Sequence, residues 1–326
     1  MLIDKHQRVH DYLRISLTDS CNFRCQYCMP DEDIQCLPNK HLMQTEEIEK
    51  IAKVFVGMGV NKIRLTGGEP LVRKEFAQIL KILSDLPVEI SITTNAVLIH
   101  KYIDELIAAG VRSVNISLDT LNPETFQKVT KRNQFQQVWN NILLMLEKGL
   151  RVKINAVAIS GIIEKEILDF IELTKDMPLH VRFIEFMPFE GNHWSSNKVI
   201  TADTMVNWVE QEYDIVKLKD EPHATAKKYK AIGHEGTFAF ITTMSEHFCG
   251  DCNRMRITAD GKMKNCLFGK EETDLLGALR NDEALEPLIE KSVSRKHAVM
   301  GGQFKNTYKE ADAADLENRS MINIGG

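Results

Sequence analysis

Six of the seven cysteines fall into two triplets near opposite ends of the chain. Cys21, Cys25 and Cys28 are spaced by three and then two residues. Three thiolates on one loop suit a cubane iron–sulfur cluster, which ordinarily takes four protein ligands. With three, one iron stays open and can chelate a small molecule through an amine and a carboxylate, as a catalytic metal keeps a vacant position. Cys249, Cys252 and Cys266 form a second set of three, with thirteen residues between the last two. Zinc is the alternative at both. His10 or His41 would complete the first set and His247 the second, where Cys-x-x-Cys with a later cysteine is also a zinc-ribbon fragment. The first spacing is unusual for zinc, which favours paired Cys-x-x-Cys. Cys36 stands apart and is given no role.

Cations form the second constellation. Arg254 and Arg256 alternate on one expected strand and so share a face. Arg14, Arg64, Lys153 and Arg182 fall on four other expected strands. Inward cations on a sheet are costly unless an anion or a carboxylate pairs with them. Guanidinium groups suit phosphate oxygens through bidentate contacts. The competing account pairs them with Glu69, Asp119 or Glu185 as structural ion pairs.

The elements that must position these groups repeat one unit. Leu13–Leu17, Lys62–Leu65, Glu89–Thr93, Ser113–Leu118, Val152–Ile159 and Val181–Glu185 read as strands. Helical patterns cover Glu46–Met58, Arg73–Leu83, Ile99–Ala108, Phe135–Lys148 and Lys165–Thr174. This alternation implies right-handed βαβ units and a parallel sheet. Six strands fall short of the eight of a closed barrel. The expected fold is therefore α/β, a partial (β/α)6 TIM-type barrel over residues 1–190. A C-terminal α+β appendage, 191–326, would carry the second triplet and a tail and pack against the barrel. Within it Thr225–Ile232 and Thr237–Thr243 read as an antiparallel pair. Met255–Thr258 and Lys262–Asn265 read as a hairpin around Asp260-Gly261. The first triplet follows the first strand, at the rim where barrel loops collect catalytic groups.

Composition narrows the partners. The 41 basic and 46 acidic residues give a net charge of −5, so there is no bulk case for nucleic acid. No apolar run is long enough to span a bilayer. Met1–His10 is polar and has no signal core. An odd cysteine count argues against a disulfide framework, and a reducing, cytoplasmic location is expected.

The string Cys21-Asn-Phe-Arg-Cys25-Gln-Tyr27-Cys28 resembles the signature of the radical S-adenosylmethionine (SAM) superfamily. Thr66-Gly67-Gly68-Glu69-Pro70 is similar to its Gly-Gly-Glu-Pro motif, which approaches the amino end of SAM. Glycine there would let backbone come close to a ligand. The resemblance implies SAM contacts at Tyr27, Gly68, Ser117 and Met187; the competing account of Ser117 and Met187 is strand-end packing. From about residue 11 onward the chain resembles the GTP 3′,8-cyclase family of molybdenum cofactor biosynthesis (the MoaA family). The resembling stretches are Leu13–Pro30, Lys62–Arg73, Thr93–Asn95, Asn115–Asp119, Arg182–Pro188 and Cys249–Phe268. The most specific is Cys252-Asn-Arg254-Met-Arg256-Ile-Thr-Ala-Asp260-Gly261. Ile324-Gly325-Gly326 matches the family's free di-glycine tail, and Ala96 departs from it, standing where glycine is usual.

That resemblance implies two [4Fe-4S] clusters and SAM as cofactors. SAM would be cleaved reductively to methionine and a 5′-deoxyadenosyl radical, which takes the C3′ hydrogen of GTP. The C3′ radical attacks C8, and a further reduction gives 3′,8-cyclo-7,8-dihydro-GTP. Arg14, Arg64, Thr93, Lys153, Arg182, Arg254 and Arg256 would hold the substrate, with the purine on the second cluster's open iron. Arg254 and Arg256, with the tail glycines Gly325 and Gly326, would assist catalysis. The implied partners are a one-electron donor such as a flavodoxin and, transiently, the next enzyme of the pathway; a homodimer is compatible. Two rivals stand beside this reading. One is a radical SAM enzyme with an auxiliary cluster that modifies a peptide. The other is a non-enzymatic protein with two zinc sites.

Overall fold

A computed structural model describes residues 1–28, 36–304, 308–310 and 316–325. Six parallel strands run in chain order: β1 (Tyr12–Ser16), β2 (Lys62–Thr66), β3 (Glu89–Thr94), β4 (Ser113–Ser117), β5 (Arg151–Ala158) and β6 (His180–Glu185). Each lies within two residues of its expected position. Their side chains alternate. Leu13, Ile15, Ile63, Leu65, Val152 and Ile154 point to one face and are almost wholly buried. Helices cover that face. In Thr45–Gly57, Ile48, Ile51, Ala52 and Phe55 are buried at three- and four-residue spacing, which makes one apolar stripe against the sheet. The opposite, concave face carries the polar residues of the same strands.

One helix among the first six strands was not expected. Pro123–Thr130 precedes Phe135–Glu147 in the β4–β5 crossover. Asn122 caps it by accepting from the Thr125 N–H at 2.9 Å, and proline occupies its first turn. It is short and mostly polar, so its periodicity is faint.

The later strands join the C-terminal segment to the barrel through the sheet itself. They continue the same sheet at both of its edges. β7 (Ile215–Lys217), β8 (Lys227–Ala231) and β9 (Thr237–Ile241) form an antiparallel set whose β9 runs parallel beside β6. β10 (Arg254–Ile257) runs parallel beside β1 and continues into the expected hairpin with β11 (Lys262–Lys264), then β12 (Thr273–Asp274). The strand order is β12-β11-β10-β1-β2-β3-β4-β5-β6-β9-β8-β7, an open sheet. An uncovered edge of a parallel sheet leaves unpaired N–H and C=O groups, and these additions satisfy both edges. No described helix is long and apolar enough to cross a membrane.

Candidate active site

The loop after β1 carries the first triplet, and the loop after β2 braces it. The Gly68 N–H donates to the Thr18 carbonyl at 2.6 Å and the Glu69 N–H to the Ser20 carbonyl at 2.9 Å. A Cβ at Gly67 would lie 2.7 Å from the Thr18 oxygen, and one at Gly68 2.4 Å from the Ser20 oxygen. The glycines are therefore required by the meeting of two loops, a reason that the motif alone did not reveal. The Glu69 carboxylate accepts from Leu71 N, Thr94 Oγ1 and Asn95 N. Burial outweighs these bonds and pushes it up to about 7. Asn95 reaches back and donates to Asn22 Oδ1 at 2.7 Å, which closes a ring of contacts from β1 to β3. The next residue, Ala96, holds a left-handed φ of 65°, the conformation for which glycine is better suited.

Burial raises all three thiols of the first set. Cys21 is pushed up to about 12 with Glu69 adding to the effect, and Cys25 and Cys28 rise further as the neighbouring thiols repel a second negative charge. Such thiols hold their protons until a cation displaces them, so the set is suited to a positively charged iron core and poorly suited to free nucleophilic chemistry. Tyr27 is half-buried beside them, and its hydroxyl donates to Asp119 Oδ2 at 2.7 Å. Burial lifts Asp119 to about 6, against the bonds from Tyr27 and the Val157 N–H.

The second triplet faces the first across one cavity lined by all six cysteines. Cys249 and Cys252 flank a single 3-10 turn, and the β10–β11 hairpin returns Cys266 to them. Burial raises Cys252, but Arg254 and Lys296 outweigh it and bring the thiol down to about 6. Cys252 is therefore readily ionised at neutral pH, whereas burial raises Cys249, and the three thiols together suit a metal cluster. His10 is not beside the first triplet. It lies under the second, with Nε2 3.1 Å from Asp4 Oδ2 and Nδ1 3.4 Å from Lys296 Nζ. Arg8 ties the second loop down by donating to the carbonyls of Cys249, His297 and Ala298. Neither Arg8 nor Lys296 carried a sequence signal, because each acts on a loop more than forty residues away.

Between the triplets the cavity is basic. Arg14, Arg64, Arg182, Arg254 and Arg256 line it. Among the described residues, buried Arg14 Nε and Arg182 Nε and Nη2 find no hydrogen-bond partner. Arg64 Nε donates to the Ser91 hydroxyl at 3.2 Å. Among the described residues, none of the expected cations pairs with an acidic group. The three carboxylates offered as partners are engaged elsewhere. Glu69 and Asp119 hold the groups named above, and Glu185 accepts from the N–H groups of Ala202, Met244 and Ser245. Burial, then the other cations, pulls Arg182 down and brings Lys153 to about 8. Lys153 lies two residues before Asn155 on β5 and does not line the cavity; Arg182 and Arg64 are close enough to repel its charge. Asn155, missed from sequence, stands in register with Arg182, lines the cavity and has a buried, unpartnered Oδ1. Its period-two position between Lys153 and Val157 was the signal. Thr93, Ser117, Gly68, Tyr27 and Met187 all line the same cavity.

The tail enters from the C-terminal end. Ile322 and Ile324 are buried, and the Gly325 carbonyl accepts from Arg256 Nη1 at 2.5 Å. Gly325 has a φ of 81°, and a Cβ there would lie 2.7 Å from Ser16 Cβ and 2.9 Å from Thr66 Oγ1. It thus sits at the upper ends of β1 and β2. Gly326 lies outside the described residues.

The chain matches two family models, the Radical SAM superfamily over residues 15–174 and Molybdenum Cofactor Synthesis C over residues 179–301. It is 46% identical to "GTP 3',8-cyclase, mitochondrial" of Arabidopsis thaliana, covering all of this chain and 84% of that protein. It is 41% identical to the GTP 3′,8-cyclase of Desulforamulus reducens over 90% of this chain and 94% of that one. Molybdenum cofactor biosynthesis protein 1 of Mus musculus is 45% identical over 99% of this chain, which spans 51% of that longer protein. Among solved structures, Streptococcus suis SuiB bound to SAM superposes with a TM-score of 0.61 at 16% identity, over 98% of this chain and 75% of that chain, a likeness of fold. With both triplets, the basic cavity between them and full-length relatives above 40% identity, the chain belongs to the radical SAM GTP 3′,8-cyclase family of molybdenum cofactor biosynthesis.

Proposed function

We propose that this chain converts GTP to 3′,8-cyclo-7,8-dihydro-GTP, the first step of molybdenum cofactor biosynthesis. One observation carries the reading. Two sets of three thiols face each other across a cavity whose arginines have no anionic partner among the described residues. A triphosphate supplies the missing anion, and bidentate guanidinium contacts suit it.

Cys21, Cys25 and Cys28 would hold one [4Fe-4S] cluster and Cys249, Cys252 and Cys266 the other. With SAM bound, the first supplies a 5′-deoxyadenosyl radical able to take the C3′ hydrogen of GTP. The protein's own part is placement. Tyr27, Gly68, Ser117 and Met187 hold SAM at the rim. Arg14, Arg64, Lys153 and Arg182 draw the triphosphate to the floor, with Thr93 beside it. Arg254 and Arg256 stabilise charge that develops as the ring closes. Gly325 keeps the space above β1 and β2 filled and the Arg256 guanidinium oriented, and Gly326 is assigned to catalysis with it. On this reading residues 1–190 generate the radical and hold the triphosphate, and 191–326 carry the second cluster, Arg254, Arg256 and the tail.

An electron donor such as a flavodoxin, a transient encounter with the next enzyme, a homodimer and a cytoplasmic location belong to the proposal. The unpaired thiols suit a reducing compartment. The test is anaerobic turnover of reduced enzyme with SAM and each of the four ribonucleoside triphosphates. GTP should give cyclised product together with deoxyadenosine. Cyclised product from all four equally, or from none, would overturn the substrate assignment. Iron and sulfide analysis of the same sample separates the cluster reading from zinc.

A further inference from the structure

We propose that Lys296 is, beside Arg254, a counter-ion of the second thiol set, a positioning residue that raises the reduction potential of the cluster held there. The inference rests on the cluster reading above. Lys296 follows the helix Glu286–Ser294, and its side chain is almost completely buried, 2% exposed. Its ammonium lies 2.9 Å from the Arg254 carbonyl, 3.5 Å from the Cys252 carbonyl, 3.4 Å from His10 Nδ1 and 3.5 Å from Cys252 Sγ. Three of these four neighbours are neutral acceptors.

A buried ammonium demands a negative partner. Among the described residues no carboxylate lies within 4 Å of it. The acid of this network, Asp4, is already held by Arg8 Nε at 2.6 Å and by His10. Asp4 balances Arg8, which leaves the Lys296 charge to be met by the Cys252 sulfur. The first set is served differently: Cys21 Sγ accepts from the Phe23 N–H and the Asn95 amide, and Tyr27 bonds to Cys25, all neutral groups. A cation hydrogen-bonded to a ligand sulfur favours the more negative, reduced state of a cluster. Lys296 therefore makes the second cluster easier to reduce than a neutral side chain at this position would.

The test uses the reconstituted full-length enzyme with Cys21, Cys25 and Cys28 replaced by alanine, so that only the second cluster contributes. Its midpoint potential is followed by paramagnetic resonance during redox titration, alongside iron per chain, for Lys296→Met and Lys296→Arg. Lys296→Met should move the midpoint to more negative potential, and Lys296→Arg should stay near the parent. Loss of iron in Lys296→Met with retention in Lys296→Arg would equally support a required charge. Equal potentials in all three, equal shifts in both variants, or loss of iron from both variants would overturn the role and make Lys296 a packing element. A parent background that held no iron would sink the cluster reading itself, an outcome distinct from an iron-loaded parent indifferent to Lys296.

Discussion

Arg256 Nη1 donates to the carbonyl of Gly325 at 2.5 Å, although 69 positions separate them in sequence. Arg256 lies on β10, inside the cavity, and Gly325 ends the chain's last helical turn. The bond joins a residue of the second-triplet segment to a tail that rests on the ends of β1 and β2. It makes the tail part of the cavity wall.

Substituting Gly325 should therefore separate two activities. Alanine would push its Cβ against Ser16 and Thr66 and impose strain at a left-handed φ. In Gly325→Ala, cyclised product should fall about tenfold or more, equivalent to roughly 1.4 kcal/mol of barrier. Deoxyadenosine formation should change much less. The two products are quantified side by side; a parallel fall in both would place the tail in SAM binding instead.

Arg14 and Arg182 present buried, unpartnered nitrogens to the cavity. Arg14→Ala and Arg182→Ala should each weaken GTP binding by about 1.5–3 kcal/mol, the range for hydrogen bonds to charged groups. Uncoupled SAM cleavage should persist. Calorimetry with GTP and guanosine checks this, and equal affinities of the parent for both would contradict a phosphate role.

Burial, then Arg182 and Arg64, lowers Lys153 to about 8. A bound triphosphate restores the charge, so GTP binding takes up a proton once the pH exceeds that value. The sign follows: affinity is full below pH 8 and declines above it, by up to about tenfold per pH unit. Lys153→Arg, always charged, should flatten this decline. Dissociation constants at pH 7, 8 and 9 for parent and variant decide it.

Arg319 clamps the root of the tail. Its guanidinium meets Asp260 at 2.9 and 3.0 Å and Glu272 at 2.5 Å. Arg319→Gln leaves two carboxylates facing each other and should cost about 1–3 kcal/mol of local stability. It should reproduce the product-over-deoxyadenosine split of Gly325→Ala, with both clusters loaded and faster proteolysis near residue 320. Normal product yield with a loosened tail would show that the clamp is dispensable.

The two thiol sets should separate by mutation. Alanine at Cys21, Cys25 and Cys28 should abolish SAM cleavage. Alanine at Cys249, Cys252 and Cys266 should spare some cleavage without cyclised product. Normal product from the second variant would falsify the substrate role of that set.

The sequence by itself determined what is local. The spacing of Cys21, Cys25 and Cys28 sits within a single loop. The alternation of Arg14 with Leu13 and Ile15 is a property of one strand, since successive side chains leave opposite faces. That is why six strands and both triplets were legible, and why Pro123–Thr130, short and polar, was not. Tertiary structure alone decided which edges accept β9 and β10, because strand pairing is made by backbone groups that are alike in every residue. It alone decided that Gly67 and Gly68 serve a contact between two loops. It brought Asp4, Arg8, His10 and Lys296, from the two ends of the chain, beneath one cysteine loop. Buried charge is balanced by whatever lies near in space, and nearness across 286 positions leaves no spacing in the sequence to be read.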